Sequence, residues 1–348
     1  MKNKVTIYDI AKKLNITAAT VSRALNDNPK ISKKTRELVF ETSREMNYKP
    51  NKVALALKSG KSKTIGVIVP WINRSFFSNV IRGIEDELRP FGYHVIICQT
   101  YDDQEREIET ISTLIDARVD GILMSISNAI NDTEGSQLKH INSILKHHIP
   151  LIFFDRKRDV EGVSSVTIDD FEGGYKATEH LIKLGCMRIA HLTIDCSLEI
   201  YQQRYEGYKQ ALADYDIPYD DDYFLSTIDN STDAGRTATE KLIKLASPPD
   251  AIFASSDFVA LGAIQELRER GIRIPDDFCV SGFSNEPFTK FLELSITSVD
   301  QFPLEMGKKA AQVFLEQVTG DLSIQPKKVV LHPHLIIRAS SMKMPSKV

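Results

Sequence analysis

The sequence predicts an α/β protein in which an all-α helix-turn-helix head precedes two doubly wound parallel-sheet subdomains. Three observations lead there. The first 64 residues carry 15 Lys+Arg against 5 Asp+Glu, a balance of +10, whereas the other 284 carry −13. Apolar residues in that basic head recur at helical spacing. From Lys63 onward the rhythm becomes short apolar runs alternating with helical segments, the pattern of parallel sheets covered by helices. At 348 residues, 42% hydrophobic and 26% charged, the chain has material for two or three cores.

The head opens at Thr6-Ile7-Tyr8-Asp9, a hydroxyl followed three residues on by a carboxylate, as in a capping box. Ile7, Ile10, Ala11 and Leu14 give the first helix its apolar face. After Asn15-Ile16 a second helix starts at Thr17 and runs through Leu25, and Asn26-Asp27-Asn28-Pro29 breaks it. Ser32 caps a third helix to about Asn47, with Leu38, Val39, Thr42 and Met46 expected to face inward. Two short helices joined by a tight turn and backed by a third make a DNA-reading module. The second helix suits base edges. Ala18 and Ala19 are small, Thr17, Thr20 and Ser22 carry hydroxyls for phosphates, and Arg23 can address a guanine through two hydrogen bonds. A basic head on an acidic body meets a polyanion at the head only.

Residues 50–62 follow as a hinge. After Pro50 the segment has room for barely two helical turns, too few to be stable alone in water. Leu55 and Leu57 stand among Lys52, Lys58, Lys61 and Lys63 without a local core. Either the segment packs on the body as a linker, or it folds on DNA and drives a leucine wedge into the minor groove.

The body begins with Thr64–Val69, a buried-strand run, and a helix from Phe76 to about Pro90. Further strands are read at Tyr93–Cys98, Gly121–Met124 and Pro150–Asp155, with a helix at Gln104–Ala117. A second series comprises Arg188–Leu192, Tyr223–Leu225, Ala251–Ala254 and Phe278–Ser281. The expected division is 1–49 for the head, 50–62 for the hinge, 63–166 with 297–326 for the first core subdomain, 167–296 with 327–341 for the second, and 342–348 as a tail. Such sheets bind ligands at the carboxyl ends of their strands. The groups found there, joined by Arg204 and Asn230, are aromatic, hydroxyl, amide, carboxylate and guanidinium side chains. They suit a polyhydroxylated ligand such as a sugar, and Arg74, Arg156 and Arg204 leave an acidic or phosphorylated sugar open.

Several stretches closely resemble the LacI/GalR family of transcriptional regulators. They are Val5-Thr6-Ile7-Tyr8-Asp9-Ile10-Ala11, Thr20-Val21-Ser22-Arg23-Ala24-Leu25-Asn26, Ser32-Lys33-Lys34-Thr35-Arg36, Asn47-Tyr48-Lys49-Pro50-Asn51 and Ala54-Leu55-Ala56-Leu57. The likeness continues to about Arg338. It implies a sequence-specific DNA-binding repressor, with a periplasmic-binding-protein-like core that holds a sugar-like effector between its subdomains. It further implies a homodimer on a pseudo-palindromic double-stranded operator. Leu57 falls at the intercalating hinge leucine, and Ala18 and Ala19 at positions that vary with the operator. The candidate DNA contacts are therefore Thr6, Thr17, Ala18, Ala19, Thr20, Ser22, Arg23, Asn26, Ser32, Thr35, Tyr48, Asn51, Ala54 and Leu57. By position Asp155 matches an effector-contacting aspartate and Arg204 a ligand-contacting arginine. Ser256-Asp257 stands where Asn-Asp is usual, and Gly282-Phe283-Ser284-Asn285 where Gly-Tyr-Asp-Asp is usual. The candidate effector contacts are Asn73, Phe76, Phe77, Tyr101, Ser125, Asp155, Arg156, Arg204, Asn230, Ser256, Asp257 and Ser284.

Other functions find little support. No run of 18 apolar residues exists, which argues against a membrane span, and the N-terminal residues lack the apolar stretch of a signal peptide. Cys98, Cys186, Cys196 and Cys279 lie far apart, as in a reduced cytoplasmic protein. Phosphate-loop, dinucleotide and nucleophile-elbow motifs are missing, and His147-His148 and His332-Pro333-His334 lack metal-site spacing. The chain thus reads as no enzyme, with no metal and no cofactor. The rival reading is the solute-binding protein of a sugar uptake system, which shares the two-subdomain body but has no use for the head. The residues beyond Arg338 carry no leucine heptads, so no tetramer-forming coil is expected there.

Overall fold

The structure, a computed structural model, describes residues 5–49, 60–127, 139–194, 198–319 and 325–342. The chain divides between Ser62 and Lys63 into two compact units. The head contains α1 (Ile7–Leu14), α2 (Ala18–Leu25) and α3 (Lys33–Glu45). Each start is capped as its sequence predicts. Asp9 accepts the amide and hydroxyl hydrogens of Thr6 at 2.8 and 2.7 Å. The hydroxyl oxygens of Thr17 and Ser32 accept the amides of Thr20 and Thr35 at 3.1 and 3.2 Å.

The head's core is Ile10, Ala11, Val21, Ala24 and Val39, with Ile7, Leu14, Met46 and Tyr48 packed around it. Leu38 departs from expectation: it is 48% exposed. The inward stripe of α3 runs through Val39, Thr42, Ser43 and Met46 at helical spacing, and Leu38 lies one residue, about 100°, away from it. Arg36 pairs with Asp27 and pins the turn that ends α2. Lys13 reaches Glu45 at 2.8 Å, tying α1 to the end of α3. Asn51, Ala54 and Leu57 lie outside the described residues.

The body holds two six-stranded sheets. The first comprises β1 (Thr64–Val69), β2 (His94–Gln99), β3 (Gly121–Met124), β4 (Leu151–Phe154), β5 (Ser164–Ile168) and β11 (Lys328–Leu331), in the order β11-β5-β4-β3-β1-β2. The second comprises β6 (Ile189–Thr193), β7 (Phe224–Ser226), β8 (Ala251–Ala254), β9 (Cys279–Phe283), β10 (Thr297–Asp300) and β12 (His334–Ile336), in the order β12-β10-β9-β8-β6-β7. Every pairing is parallel except β10 with β12. Central strands such as β3, β4 and β8 are buried throughout, which is why they read as unbroken apolar runs.

The helices of the first subdomain are α4 (Ser75–Leu88), α5 (Gln104–Asp116), α6 (Lys139–Lys146) and α11 (Pro303–Thr319); those of the second are α7 (Asp170–Lys183), α8 (Glu199–Asp214), α9 (Thr232–Leu242) and α10 (Asp257–Glu269). The crossings between subdomains differ from the expected positions. Strand β10 pairs with β9 in the second sheet, whereas residue 297 was expected to open a segment of the first; β11 pairs with β5 in the first, where 327 was expected to return to the second. The passages lie at Asp169, at Gln301–Phe302 and between Leu331 and His334. Both displaced strands are only four residues long, too short for their own pattern to say which sheet takes them. Among the described residues, no helix is long and apolar enough to cross a membrane.

Helices pack in pairs whose backbones nearly touch, and each pair uses glycine from both partners. A Cβ on Gly174 of α7 would lie 2.2 Å from the Arg204 carbonyl oxygen of α8, and one on Gly207 of α8 would lie 2.2 Å from that of Phe171. Gly83 with Gly307 and Gly235 with Gly262 repeat the arrangement for α4–α11 and α9–α10. These contacts admit no side chain without moving a helix. Gly174→Ala is therefore expected to destabilise the body by about 1–3 kcal/mol through overpacking and to displace Arg204. Urea unfolding at fixed protein concentration checks this; an unchanged midpoint would mean that the helix pair relaxes freely.

Candidate functional site

A cleft of about 360 Å³ opens at the carboxyl ends of both sheets. The first subdomain contributes Trp71, Arg74, Phe76, Phe77, Asp102, Asp155 and Arg156. The second contributes Leu198, Tyr201, Arg204, Asn230, Ser255, Ser256, Phe258, Ser284 and Glu286, and Gln301 lies on the passage between them. Strand β4 ends in Phe154, and Asp155 then turns with φ 61°, a left-handed conformation that aims its carboxylate into the cleft.

On the first wall, Asp155 accepts a hydrogen bond from Ser125 at 2.9 Å, and Arg156 donates to Asp102 at 2.7 Å. Burial pushes the Asp155 carboxyl above its ordinary range, with Arg156 and Ser125 opposing it. Burial also works against the Arg156 charge, but the negative groups around it, led by Asp102, outweigh that and leave its pKa raised.

On the second wall, Arg204 is 3% exposed. Its Nε donates to Asp170 at 2.7 Å and its Nη1 to the Ser255 carbonyl at 2.9 Å, and its guanidinium carbon sits 3.6 Å from the Phe283 ring centre. Burial raises Asp170 to about 6 despite that pair.

Several contacts between described residues bridge the walls. Arg74 donates to the Asn230 carbonyl at 3.4 Å and lies 4.2 Å over the Phe258 ring. Ser75 donates to the Glu286 carboxylate. Lys157 lies 3.1 Å from both carboxylate oxygens of Glu199. Three buried polar atoms of the lining residues have no hydrogen-bond partner among the described residues: Asn230 Oδ1, Arg156 Nε and Ser255 Oγ. One accepts, one donates and one can do either, which is the complement of a ligand rich in hydroxyls.

The expected contact residues divide into two groups. Phe76, Phe77, Asp155, Arg156, Arg204, Asn230, Ser256 and Ser284 line the cleft. Asn73 and Tyr101 do not: both are exposed, Tyr101 packing edge-on to Trp71 under Arg106. Ser125 stands behind Asp155. Asp257 stands behind the cleft wall, fully buried, accepting from Ser298 Oγ at 2.6 Å and the Glu286 amide at 2.7 Å. Its task is to hold the turn after β9. Gly282 gives it room, since a Cβ there would meet Asp257 Oδ1 at 2.3 Å. Tyr201, Phe258, Glu286 and Gln301 line the cleft without having been singled out in the sequence. Three of them follow strands or begin helices, where an inspection of every strand end would have found them.

In the head, Ala19, Arg23 and Asn26 of the candidate contacts are solvent-exposed, while Ala18 and Tyr48 are half-buried against its core. Thr6, Thr17, Ser32 and Thr35 are engaged at helix starts. Thr17 and Thr20 share a hydroxyl contact at 2.9 Å, and Asn26 donates to the Ser22 carbonyl at 2.6 Å. Elsewhere Asp169, Glu172 and His332 converge within 4.8 Å, but Asp169 caps α7 and Glu172 already pairs with Lys176 and His332 at 2.6 Å each.

Burial raises Asp257 to about 7, with its bonds to Ser298 and Glu286 opposing the shift. The folded state therefore holds a proton that the unfolded chain releases from an ordinary value of 3.8. This contribution to stability is full below roughly pH 4 and is lost as pH rises to about 7; Asp170 adds a smaller decline of the same sign. Asp257→Asn should be less stable overall and should show a shallower decline across that window. Urea midpoints measured at stepped pH test this, and an equal slope in both proteins would clear Asp257 of the effect.

Comparison with known proteins agrees with this geometry. Residues 62–336 match the family described as periplasmic binding proteins and sugar binding domain of LacI family, and residues 6–51 match bacterial regulatory proteins, lacI family. Catabolite control protein A of Priestia megaterium is 32% identical over 97% of this chain and 99% of its own length. A LacI family transcriptional regulator from Enterococcus faecium, solved with bound ribose, is 30% identical with a TM-score of 0.71, covering 81% of this chain and 100% of that one. The lac repressor dimer bound to operator and an anti-inducer shares the fold at a TM-score of 0.84 and 24% identity, over 98% of this chain and 100% of that one. A DNA-reading head, a two-walled cleft and matches along nearly the whole chain place this protein in the LacI family of bacterial transcriptional regulators.

Proposed function

We propose that this protein is a cytoplasmic repressor that binds a pseudo-palindromic operator as a homodimer and responds to a sugar or sugar derivative held in the cleft. The observation that carries the effector reading is the trio of unpartnered buried atoms, Asn230 Oδ1, Arg156 Nε and Ser255 Oγ, set among aromatic faces. Ring faces of Phe76, Phe77 and Tyr201 take the C–H side of a sugar, and the polar trio takes its hydroxyls. The ribose complex of the Enterococcus faecium relative supports the same class of ligand.

The dimer reading draws on β2, an edge strand that leaves Ile96 40% and Ile97 51% exposed, beside exposed Ile72 and Tyr101. An apolar sheet edge of this kind needs covering, and a second copy would cover it. Tyr101 then belongs to this face rather than to the effector. In the head, Arg23 and the small residues of α2 read bases, the hydroxyls and lysines hold phosphates, and Leu57 wedges the minor groove. An effector that favours one angle between the subdomains moves the paired hinge segments together or apart, with a coupling of roughly 1–3 kcal/mol. A solute-binding role would leave the basic head without a task.

Two experiments test this function. A chain starting at Lys63 should lose operator binding, and the full chain's affinity should fall steeply with salt as counterions are released; retention of operator by the shortened chain would refute the assignment of the head. Asp155→Ala should abolish the effector response while operator affinity stays within a few fold. Calorimetry that found effector binding unaltered in this variant would remove Asp155 from the site.

A further inference from the structure

Glu286 brings a buried carboxylate to the cleft without a cation to match it. It follows β9 through two residues of positive φ, Ser284 and Asn285, and its amide is fixed on Asp257 at 2.7 Å. The residue lines the cleft and is 6% exposed. The Ser75 hydroxyl donates to its carboxylate, and among the described residues it makes no ion pair. Arg338 is turned to the neighbouring Asn285 instead, its Nη2 2.7 Å from the amide oxygen. A carboxylate taken this far from water calls for a positive partner.

The surrounding charges do not provide one. Around the cleft stand the guanidiniums of Arg74, Arg156 and Arg204 and the carboxylates of Asp102, Asp155, Asp229 and Glu286. An adjoining cavity of about 220 Å³ adds Lys157 and Arg158 on one side, Asp169, Asp170 and Glu199 on the other. Carboxylates outnumber cations in both. Arg156 is taken by Asp102, Arg204 by Asp170 and Lys157 by Glu199, while Arg74 is spent on the Asn230 carbonyl and the Phe258 ring. Arg158 borders the adjoining cavity and Glu286 the cleft, and no ion pair joins them. Burial holds Asp155 above its ordinary range, a strain that a cation in the cleft relieves.

Two further features favour a cation that donates hydrogen bonds. Consecutive residues Arg74 and Ser75 touch Asn230 and Glu286, so both border the start of α4, and Asn230 Oδ1 is a second acceptor lacking a donor. An ammonium group offers three donors. The aromatic faces of Trp71, Phe76, Phe77 and Tyr201 attract positive charge as well as sugar C–H groups. Arg156 Nε and the fully buried Ser255 Oγ remain for hydroxyls.

We propose that Glu286 anchors a protonated amine, so that the effector is an amino sugar with its nitrogen unsubstituted. This rests on the sugar reading above and deepens it by naming the charged group of the ligand.

The test is calorimetry on the full chain with glucosamine, galactosamine and mannosamine, their parent sugars, their N-acetyl derivatives and glucose 6-phosphate. One free amino sugar should bind at least about tenfold more tightly than both its parent and its uncharged N-acetyl form, the scale of one charge-assisted hydrogen bond. Glu286→Gln, which keeps an oxygen for the Ser75 hydroxyl, should narrow that gap to within about twofold, with an unchanged melting temperature showing that the turn is intact. The N-acetyl comparison needs no variant and stands if Glu286→Gln misfolds. A parent sugar or glucose 6-phosphate that binds as tightly as any amino sugar, or a gap that survives in the folded variant, would overturn the inference and leave the sugar reading in place. Absence of binding by every sugar of the set would overturn the sugar reading itself.

Discussion

The buried ion pair between Arg204 and Asp170 organises the second subdomain. A charge removed from water this completely is tolerable only when its partners are fixed. Arg204 finds them on three separate elements: Asp170 at the start of α7, the Ser255 carbonyl at the end of β8, and the Phe283 face of β9. Its own backbone is pressed against Gly174 of α7, so pair and helix crossing depend on each other. The floor of the cleft on this side is rigid for that reason. The opposite wall is a different construction, a chain of Asp102, Arg156, Asp155 and Ser125 strung along the ends of β2, β4 and β3.

Backbone conformation tells the same story from another direction. Tyr101, Asp102, Asp155, Ser284, Asn285 and Phe302 all have positive φ without being glycine. They follow β2, β4, β9 and β10, around the mouth of the cleft. Such residues carry a local conformational cost and persist where surrounding contacts over-determine them. Here those contacts are hydrogen bonds such as that of the Asn285 amide to Ser298 Oγ at 2.9 Å, whose hydroxyl in turn holds Asp257 behind the cleft wall. The bridges between walls, by contrast, are a few side-chain contacts from Arg74, Ser75 and Lys157. Two stiff walls joined by few contacts and three chain passages form a body in which a ligand's modest energy can select one angle.

Much of this was legible in the sequence, and the reasons are local. Helix starts at Thr6, Thr17 and Ser32 show in the sequence because a cap needs only one residue type at one place. Central strands show because burial on both faces writes an unbroken apolar run. The rest depends on distant partners. The sheet that receives β10 or β11 is decided by neighbours some 15 to 160 residues away. The roles of Gly174 and Gly207 are invisible until two helices meet. Asp257, read as a ligand contact because it follows a strand, proved to hold a turn, since the Ser298 and Glu286 that claim it lie 41 and 29 residues further on. Leu38, one residue and about 100° from the inward stripe of α3, shows that an apolar side chain beside a core face need not join it.

The departures from the family pattern within the cleft have a compensating logic. Serines stand at 256 and 284 where an amide and a carboxylate are usual, and both line the cavity. The missing carboxylate is supplied two residues after Ser284 by Glu286, which reaches across to Ser75. An amide comes from Asn230, whose nitrogen donates to Tyr201 at 2.7 Å and whose buried oxygen has no hydrogen-bond partner among the described residues. The polar inventory is therefore present at other positions of the lining. A lining altered in that way keeps hydroxyl, amide and carboxylate groups while changing where they stand, which is how one architecture comes to accept different ligands.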